Sequence, residues 1–357
     1  MAVSLKDISE HLDLSICVVS QVLNNHPRSR SLRPETRERV LAAARELGYS
    51  RNEMAAAMAK KHSNVLAFVT GDMGSVEYTG RIQNGVLEAA AACNYLVMLH
   101  RLKDFSPAET AQKILGWRAA GVVFHVAGLE DICRITPVLD QNRIPRGTVN
   151  LSNPGGIGVT SDDFSGIESL VGLFHEKGRR HAAFLSQGRS GKEFSLTRSS
   201  GYLSGMKKYY PDKEPLILDH GDLSELFRQL ESGNIDAVIC ESDHLAASLV
   251  NAAAARGIDV PQKLSVAGFG NSVISEYTNP PLTTVAQDFE DMGTQTVQQL
   301  VHVIEKRKTK TDFCRLLPAK IIERSSTQAE DRNHYTDMTD LFFKTQQQRG
   351  EINDYHA

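Results

Sequence analysis

The sequence has no long hydrophobic run, and this absence limits the kinds of protein that it can encode. A membrane-spanning helix needs about 20 consecutive apolar residues, and no uncharged apolar stretch approaches that length. Acidic side chains also lie near the start of the chain, where a secretory signal would have its apolar core. We therefore expect a cytoplasmic protein with no membrane partner.

Cysteine is scarce, with five residues among 357. The cysteines are far apart, odd in number and without a C-x-x-C pair: Cys17, Cys93, Cys133, Cys240 and Cys314. This spacing argues against a disulfide framework and a structural zinc site, and free thiols fit a reducing compartment. We expect neither a metal nor a cofactor.

Motifs of the common enzyme classes are missing as well. His175-Glu176 and His181 do not have the H-E-x-x-H spacing, and Gly191-Lys192 lacks the rest of a P-loop. Gly268-Phe269-Gly270 lacks the third glycine of a dinucleotide-binding turn, and no G-x-S-x-G elbow occurs. We assign no catalytic residue and expect no enzyme.

Charge is unevenly distributed along the chain. Residues 1–63 carry a net charge of +3, whereas the remainder carries −6. Residues 26–51 contain seven arginines and three acidic side chains. A basic head on an acidic body suggests that the head binds a polyanion, although a solvated helix face would have the same charge.

Residues 1–50 predict a head of three short helices. Ser4 and Asp7 form a capping-box pattern, and Ser15 can cap a second helix after a turn at Asp13. Pro34 suits the first position of a third helix, and Gly48 suits its left-handed end. Two helices joined by so short a turn favour helix-turn-helix geometry.

Residues 51–63 form a linker that is rich in good helix formers and contains no Gly or Pro. The segment is too short to be a stable helix alone in water, so we expect it to be helical only when docked.

From residue 64 onward, strand and helix signals alternate. The predicted strands are 64–70, 95–99, 121–126, 144–149, 157–160, 182–186, 215–218, 236–240 and 264–269. The predicted helices are 81–93, 107–118, 164–177, 196–209, 222–232, 243–256 and 288–306. This alternation predicts parallel sheets covered on both faces, in two similar α/β lobes with a boundary near 161–163. Residues 327–357 are polar apart from a small apolar cluster at 338–343, and we expect disorder or one short helix there.

Several motifs resemble those of the lac repressor/galactose repressor family. In the head, residues 3–24 (V-S-L-K-D-I-S-E-H-L-D-L-S-I-C-V-V-S-Q-V-L-N) and 33–49 (R-P-E-T-R-E-R-V-L-A-A-A-R-E-L-G-Y) carry the resemblance. In the body, it rests on residues 162–166, 178–185, 198–202, 241–246, 264–269 and 280–293. The resemblance implies a helix-turn-helix head (1–50), a hinge helix (51–63) and a body (64–326) of two periplasmic-binding-protein-like lobes.

The resemblance places the second helix of the head in the major groove of operator DNA. The residues that would contact DNA are Ser15, Ile16, Cys17, Ser20, Gln21, Asn24 and Arg28. Gln21 can pair bidentately with adenine, where many family members have an Arg that would favour guanine. Met58 stands where the family's hinge commonly has a Leu that wedges into the minor groove. Asp13 replaces the usual turn Gly, and the loop before the third helix is about three residues longer than usual in the family.

The resemblance also implies an effector cleft between the lobes. Its matching positions are Asp72, Met73, Asp163, Arg198, Leu223, Ser242, Asp243, Gly270 and Phe289. Sugar-responsive members have an Asp at the position of Gly270 and an Asn at that of Ser242, and both side chains bind hydroxyls. Neither is present here, so the effector class is left open between a sugar and a related metabolite.

We therefore expect a homodimeric, DNA-binding repressor that binds an imperfect palindrome and responds to a small ligand. A regulator with a degenerate cleft, controlled by a protein partner, is the alternative. A secreted solute-binding protein would share the lobes but would not need the head.

Overall fold

The computed structural model describes residues 3–24, 26–50, 63–71, 77–125, 129–151, 156–187, 193–219, 223–306 and 313–328. The chain divides into two compact units, one built on residues 1–65 with 117–120 and the other on the rest. No described helix is long and apolar enough to cross a membrane.

The head is a bundle of short helices around a small apolar core. Its α-helices are α1 (Leu5–Leu12), α2 (Ile16–Leu23) and α3 (Pro34–Glu46), with a 3-10 helix at Pro27–Ser31. The predicted caps are confirmed: Ser4 and Asp7 form a capping box, and the Ser15 hydroxyl accepts from the backbone N–H of Val18. Gly48 has a left-handed φ of +68°.

The loop between α2 and α3 contains a 3-10 helix, Pro27–Ser31, that the sequence analysis did not predict. His26 caps the 3-10 helix by accepting from the backbone N–H of Arg28, and Ser29 within it is buried. Asp13 has a φ of +53°, so the turn after α1 uses the left-handed conformation without a glycine.

The body contains two parallel sheets covered by helices. Its strands are β1 (Val65–Thr70), β2 (Leu96–Arg101), β3 (Gly121–His125), β4 (Arg146–Val149), β5 (Ile157–Ser161), β6 (Ala182–Ser186), β7 (Leu216–Asp219), β8 (Ala237–Cys240), β9 (Ser265–Ala267), β10 (Thr284–Ala286), β11 (Phe313–Leu317) and β12 (Lys320–Ile322). Its α-helices are α4 (Glu77–Ala92), α5 (Pro107–Gly116), α6 (Leu129–Gln141), α7 (Asp163–Glu176), α8 (Glu193–Tyr209), α9 (Leu223–Glu231), α10 (Asp243–Ala254), α11 (Ile274–Tyr277) and α12 (Phe289–Glu305). A 3-10 helix at Leu102–Asp104 follows β2.

The two sheets define two lobes. The first sheet has the order β11-β5-β4-β3-β1-β2, and α12 packs against it together with α4. The second has the order β7-β6-β8-β9, and the antiparallel β10–β12 pair continues beside β9 through isolated bridges. The chain therefore crosses between lobes three times: before α7, before α12 and between β11 and β12.

The sequence prediction of nine strands and seven helices for the body was incomplete. It placed one boundary near 161–163, which is the first of the three crossings. It did not include α6, α11 or the strands β10, β11 and β12. Because β11 belongs to the first sheet, the prediction did not show that the chain returns to the first lobe. The body also extends past its predicted end, because Thr327 is buried and its hydroxyl lies 2.6 Å from that of Thr283.

Candidate nucleic-acid interface and effector site

Helix α2 divides its side chains between a buried and an exposed face. Val19 and Val22 are buried in the core of the head. Ile16 is 48% exposed, and Cys17 also lies on the surface. Cys17 is therefore not a small apolar filler of the core.

Gln21 is held by its neighbour one turn earlier on α2. Its Nε2 donates a hydrogen bond of 3.2 Å to Sγ of Cys17. The amide keeps its Oε1 and its second N–H, which are the acceptor and donor that a bidentate contact with adenine requires. The contact favours one orientation of this amide.

Of the other polar residues predicted for DNA contact, Ser15 caps the start of α2, and the rest lie around its end. The Asn24 amide donates to the backbone oxygen and hydroxyl of Ser20, at 2.8 and 3.0 Å. Arg28 is exposed on the 3-10 helix. Six described arginines of the head are all exposed, and none forms an ion pair with a described residue: Arg28, Arg30, Arg33, Arg37, Arg39 and Arg45. Met58 lies outside the described residues.

In the body, Arg198 of α8 and Asp163 of α7 come together as a buried ion pair. Nε of Arg198 lies 2.8 Å from Oδ2 of Asp163, and the two side chains are 9% and 5% exposed. The guanidinium also donates to the carbonyl of Glu241 at 2.7 Å and lies 4.0 Å above the Phe269 ring. The amide of Gln287 donates to the other Asp163 oxygen at 2.9 Å. The charge of Arg198 is thus compensated from within the protein.

Asp243 is buried at the start of α10. It accepts from the backbone N–H and hydroxyl of Ser272, at 2.7 and 3.0 Å, and from the hydroxyl of Thr284 at 2.5 Å. Burial raises its pKa despite these hydrogen bonds, which act in the opposite direction. Gly270 has a φ of +122°, and a Cβ there would lie 3.6 Å from the Asp243 carboxylate.

Ser242 and the remaining predicted positions have local packing roles. Ser242 caps α10, and its hydroxyl accepts from the Gln187 amide at 3.1 Å. Phe289 is buried in the first lobe, with its ring centre 5.5 Å from that of Tyr78. Leu223 packs against the core of the second lobe. Asp72 and Met73 lie outside the described residues.

Sequence reasoning missed Glu241, which is 1% exposed at the carboxyl end of β8. Its carboxylate accepts from the Ser186 hydroxyl at 3.0 Å, the Gln187 backbone N–H at 2.7 Å and the Ser195 hydroxyl. The rule that ligands bind beyond the carboxyl ends of parallel strands would have pointed to it.

A second missed residue, Glu77, connects the lobes directly. Its Oε2 on α4 of the first lobe accepts from the backbone N–H of Val273 in the second lobe at 2.7 Å. No cluster of potential metal ligands occurs among the described residues.

The chain matches two known domain families. Residues 4–52 match bacterial regulatory proteins of the lacI family, and residues 171–327 match a periplasmic binding protein-like domain. The chain is 27% identical over 341 residues to the HTH-type transcriptional regulator DegA of Bacillus subtilis, covering 92% of this chain and 98% of the relative. It is 24% identical over 345 residues to catabolite control protein A of Staphylococcus epidermidis, covering 92% and 100%.

Solved structures share the fold. A crystal structure of the lac repressor dimer bound to operator and the anti-inducer ONPF superposes with a TM-score of 0.80 at 21% identity, covering 92% of this chain and all of that one. A complex of the transcriptional regulator CelR with cellobiose gives a TM-score of 0.64 at 21% identity, covering 91% and 99%.

Proposed function

We propose that this chain is a DNA-binding transcriptional regulator of the lacI family, a repressor that reads operator DNA through α2 and binds a small effector between its two lobes. The observation that carries the proposal is the outer face of α2, where Ile16 and Cys17 are exposed and Gln21 is half-buried, in contrast to the buried Val19 and Val22.

The exposed face of α2 has the chemistry of a reader of base edges. A helix of this kind fits the major groove, which is about 12 Å wide. Ile16 and Cys17 offer apolar contacts for thymine methyl groups, while Gln21 offers an amide for adenine. The exposed arginines of the head supply contacts to phosphates, which position the protein without specifying sequence. Ser15, Ser20 and Asn24 flank this face.

A homodimer would bind a twofold operator, with Met58 of each hinge as an apolar wedge in the minor groove at its centre. The effector would lie beyond the carboxyl ends of the second sheet, near Ser242, Asp243 and Gly270. Arg198 and Asp163 stand beside this region as a neutral pair, so an uncharged, hydroxyl-bearing ligand fits better than a strongly charged one.

Binding selection from random DNA with the full chain tests the DNA proposal. We expect an imperfect palindrome whose affinity falls steeply with salt. Gln21→Ala should remove the preference at one base pair of each half-site, whereas Arg28→Ala should weaken all sequences equally and lower the salt slope by about one. Selected sequences without a dyad, or identical sequence preferences for both variants, would contradict the proposal.

The regulator controlled by a protein partner is the second candidate, and one observation favours it. Asp163 compensates the charge of Arg198, and the Glu241 carboxylate already accepts three hydrogen bonds from within the chain. A thermal-shift screen against a metabolite panel separates the candidates, because a ligand at 100 times its Kd adds about 2.7 kcal/mol to stability. A stabilising metabolite that also changes operator affinity supports the effector site, and its absence from a broad panel supports the partner.

A further inference from the structure

A cavity lies at the opposite end of the second sheet from the candidate effector residues. Its volume is about 750 Å³, and its walls come from the segments that precede β6, β8 and β9. Small-molecule sites commonly have volumes of about 300–1,000 Å³. The cavity is therefore large enough for a metabolite, and it is separated from the effector region by the length of the strands.

Four cationic side chains line this cavity: Arg179, Arg180, Arg256 and Lys263. The lining includes two carboxylates, those of Glu231 and Asp236. The Asp236 carboxylate accepts from the backbone N–H groups of Arg180 and His181, at 2.9 and 3.1 Å, and lies 3.3 Å from Nε of Arg180. Asp236 therefore pairs with Arg180, and the lining also contains three other cations and the Glu231 carboxylate, so that its net charge is +2.

These three cations form no ion pair with any residue in the described part of the chain. Arg179 donates to the carbonyl oxygens of Pro261 and Gln262, at 2.6 and 3.3 Å, and burial lowers its pKa. Arg256 follows the end of α10, lies 4.1 Å above the Phe227 ring and donates to the Ala252 carbonyl in that helix at 3.2 Å. Carbonyls and rings do not neutralise a guanidinium, and the two carboxylates offset only part of the positive charge, so an anion entering the cavity would be attracted to it.

We propose that this cavity binds a small molecule that carries two or more phosphate or carboxylate groups. The planar guanidinium of Arg256 can bind such a group through two parallel N–H bonds, and the ammonium of Lys263 adds a mobile donor. The volume of the cavity suits a small molecule. This site is independent of the effector site and of the DNA-binding face.

Isothermal titration of the full chain with pyrophosphate and, separately, with citrate at fixed ionic strength tests the proposal. The two probes distinguish phosphate from carboxylate recognition. We expect one site per chain, and an affinity about tenfold or more weaker in Arg256→Gln/Lys263→Gln. The double variant Arg134→Gln/Lys207→Gln removes the same charge from the surface elsewhere and should bind as the wild type does.

Absence of binding by the wild type to both probes would overturn the proposal. Equal losses in the two double variants would also overturn it, because general charge attraction would then explain the binding. A melting curve of each variant checks folding, and the single variant Lys263→Gln, at an exposed position, gives the same comparison without disturbing Arg256.

Discussion

Arg198 and Asp163 form a buried ion pair of 2.8 Å that joins α8 to the start of α7, where the chain has just crossed between the lobes. Gln287, in the second crossing, donates to the same carboxylate. The pair therefore ties two of the crossing segments to the second lobe. Arg198, which the family resemblance assigns to ligand binding, is therefore also expected to stabilise the segments that cross between the lobes.

Truncating Arg198 should consequently cost stability as well as ligand response. Arg198→Ala leaves the Asp163 carboxylate buried without its cation, which typically costs about 3–5 kcal/mol. Chemical denaturation of the body measures this loss, and Lys207→Ala on the exposed face of the same helix should change stability by less than about 0.5 kcal/mol. Equal stability of the two variants would show that Arg198 does not stabilise the segments that cross between the lobes.

The raised pKa of Asp243 predicts that the stability of the body depends on pH. Because its folded pKa lies above its unfolded value, its contribution to stability is fully present below the unfolded pKa and is lost as pH rises through the folded pKa. An asparagine can satisfy the same partners. Its carbonyl oxygen can accept from the Ser272 N–H, and its amide nitrogen can donate to the Thr284 hydroxyl, which can act as an acceptor. We expect Asp243→Asn to gain melting temperature relative to the wild type as pH rises, and parallel curves would refute this account.

Two glycines of the body make a matched test of backbone strain. Gly178 has a φ of +73° and Gly80 lies within α4, and a Cβ at either position would meet nothing within 4 Å. Gly178→Ala should destabilise the body by about 1–2 kcal/mol, since only the backbone conformation is penalised. Gly80→Ala should stabilise it by about 0.5–1 kcal/mol. Denaturant titrations of both variants measure the free energy of unfolding. A change of the same sign in both variants would contradict the prediction.

The hydrogen bond from Gln21 to Cys17 predicts that Cys17 influences base preference indirectly. Cys17→Ala removes the acceptor and should reduce the preference for A·T opposite Gln21 by about threefold, or about 0.7 kcal/mol. Cys17→Ser keeps an acceptor and should retain most of the preference. The measurement is the affinity for operators with each of the four base pairs at that position. Equal preferences in the two variants would show that Cys17 does not influence base preference through Gln21.

Met58 offers a prediction that rests on the sequence alone. Met58→Ala preserves helix propensity but removes the apolar wedge, so specific binding and DNA bending should both decrease while nonspecific binding changes little. Met54→Ala, in the same linker, is the matched control. Fluorescence energy transfer across a labelled operator measures the bend, and an unchanged bend for Met58→Ala would exclude the wedge.

Local sequence signals determined much of this protein. Ser4, Ser15 and Gly48 cap helices because capping depends on a few neighbouring atoms, and these predictions were confirmed. The alternation of apolar runs likewise predicted the parallel sheets of the body. Helix α6 was not among the predicted helices, and it contains Pro137, which is a local signal for helix termination.

Tertiary structure decided the crossings and the composition of the candidate effector site. Strand β11 pairs with β5 across some 150 residues, and its mostly exposed side chains carry no local strand pattern. Arg198, Asp163, Glu241 and Gln287 lie far apart in sequence, and they meet only because strand order and chain crossings bring their segments together. Periodicity reports which face of an element is buried, whereas the partner of a buried charge depends on which elements fold against each other.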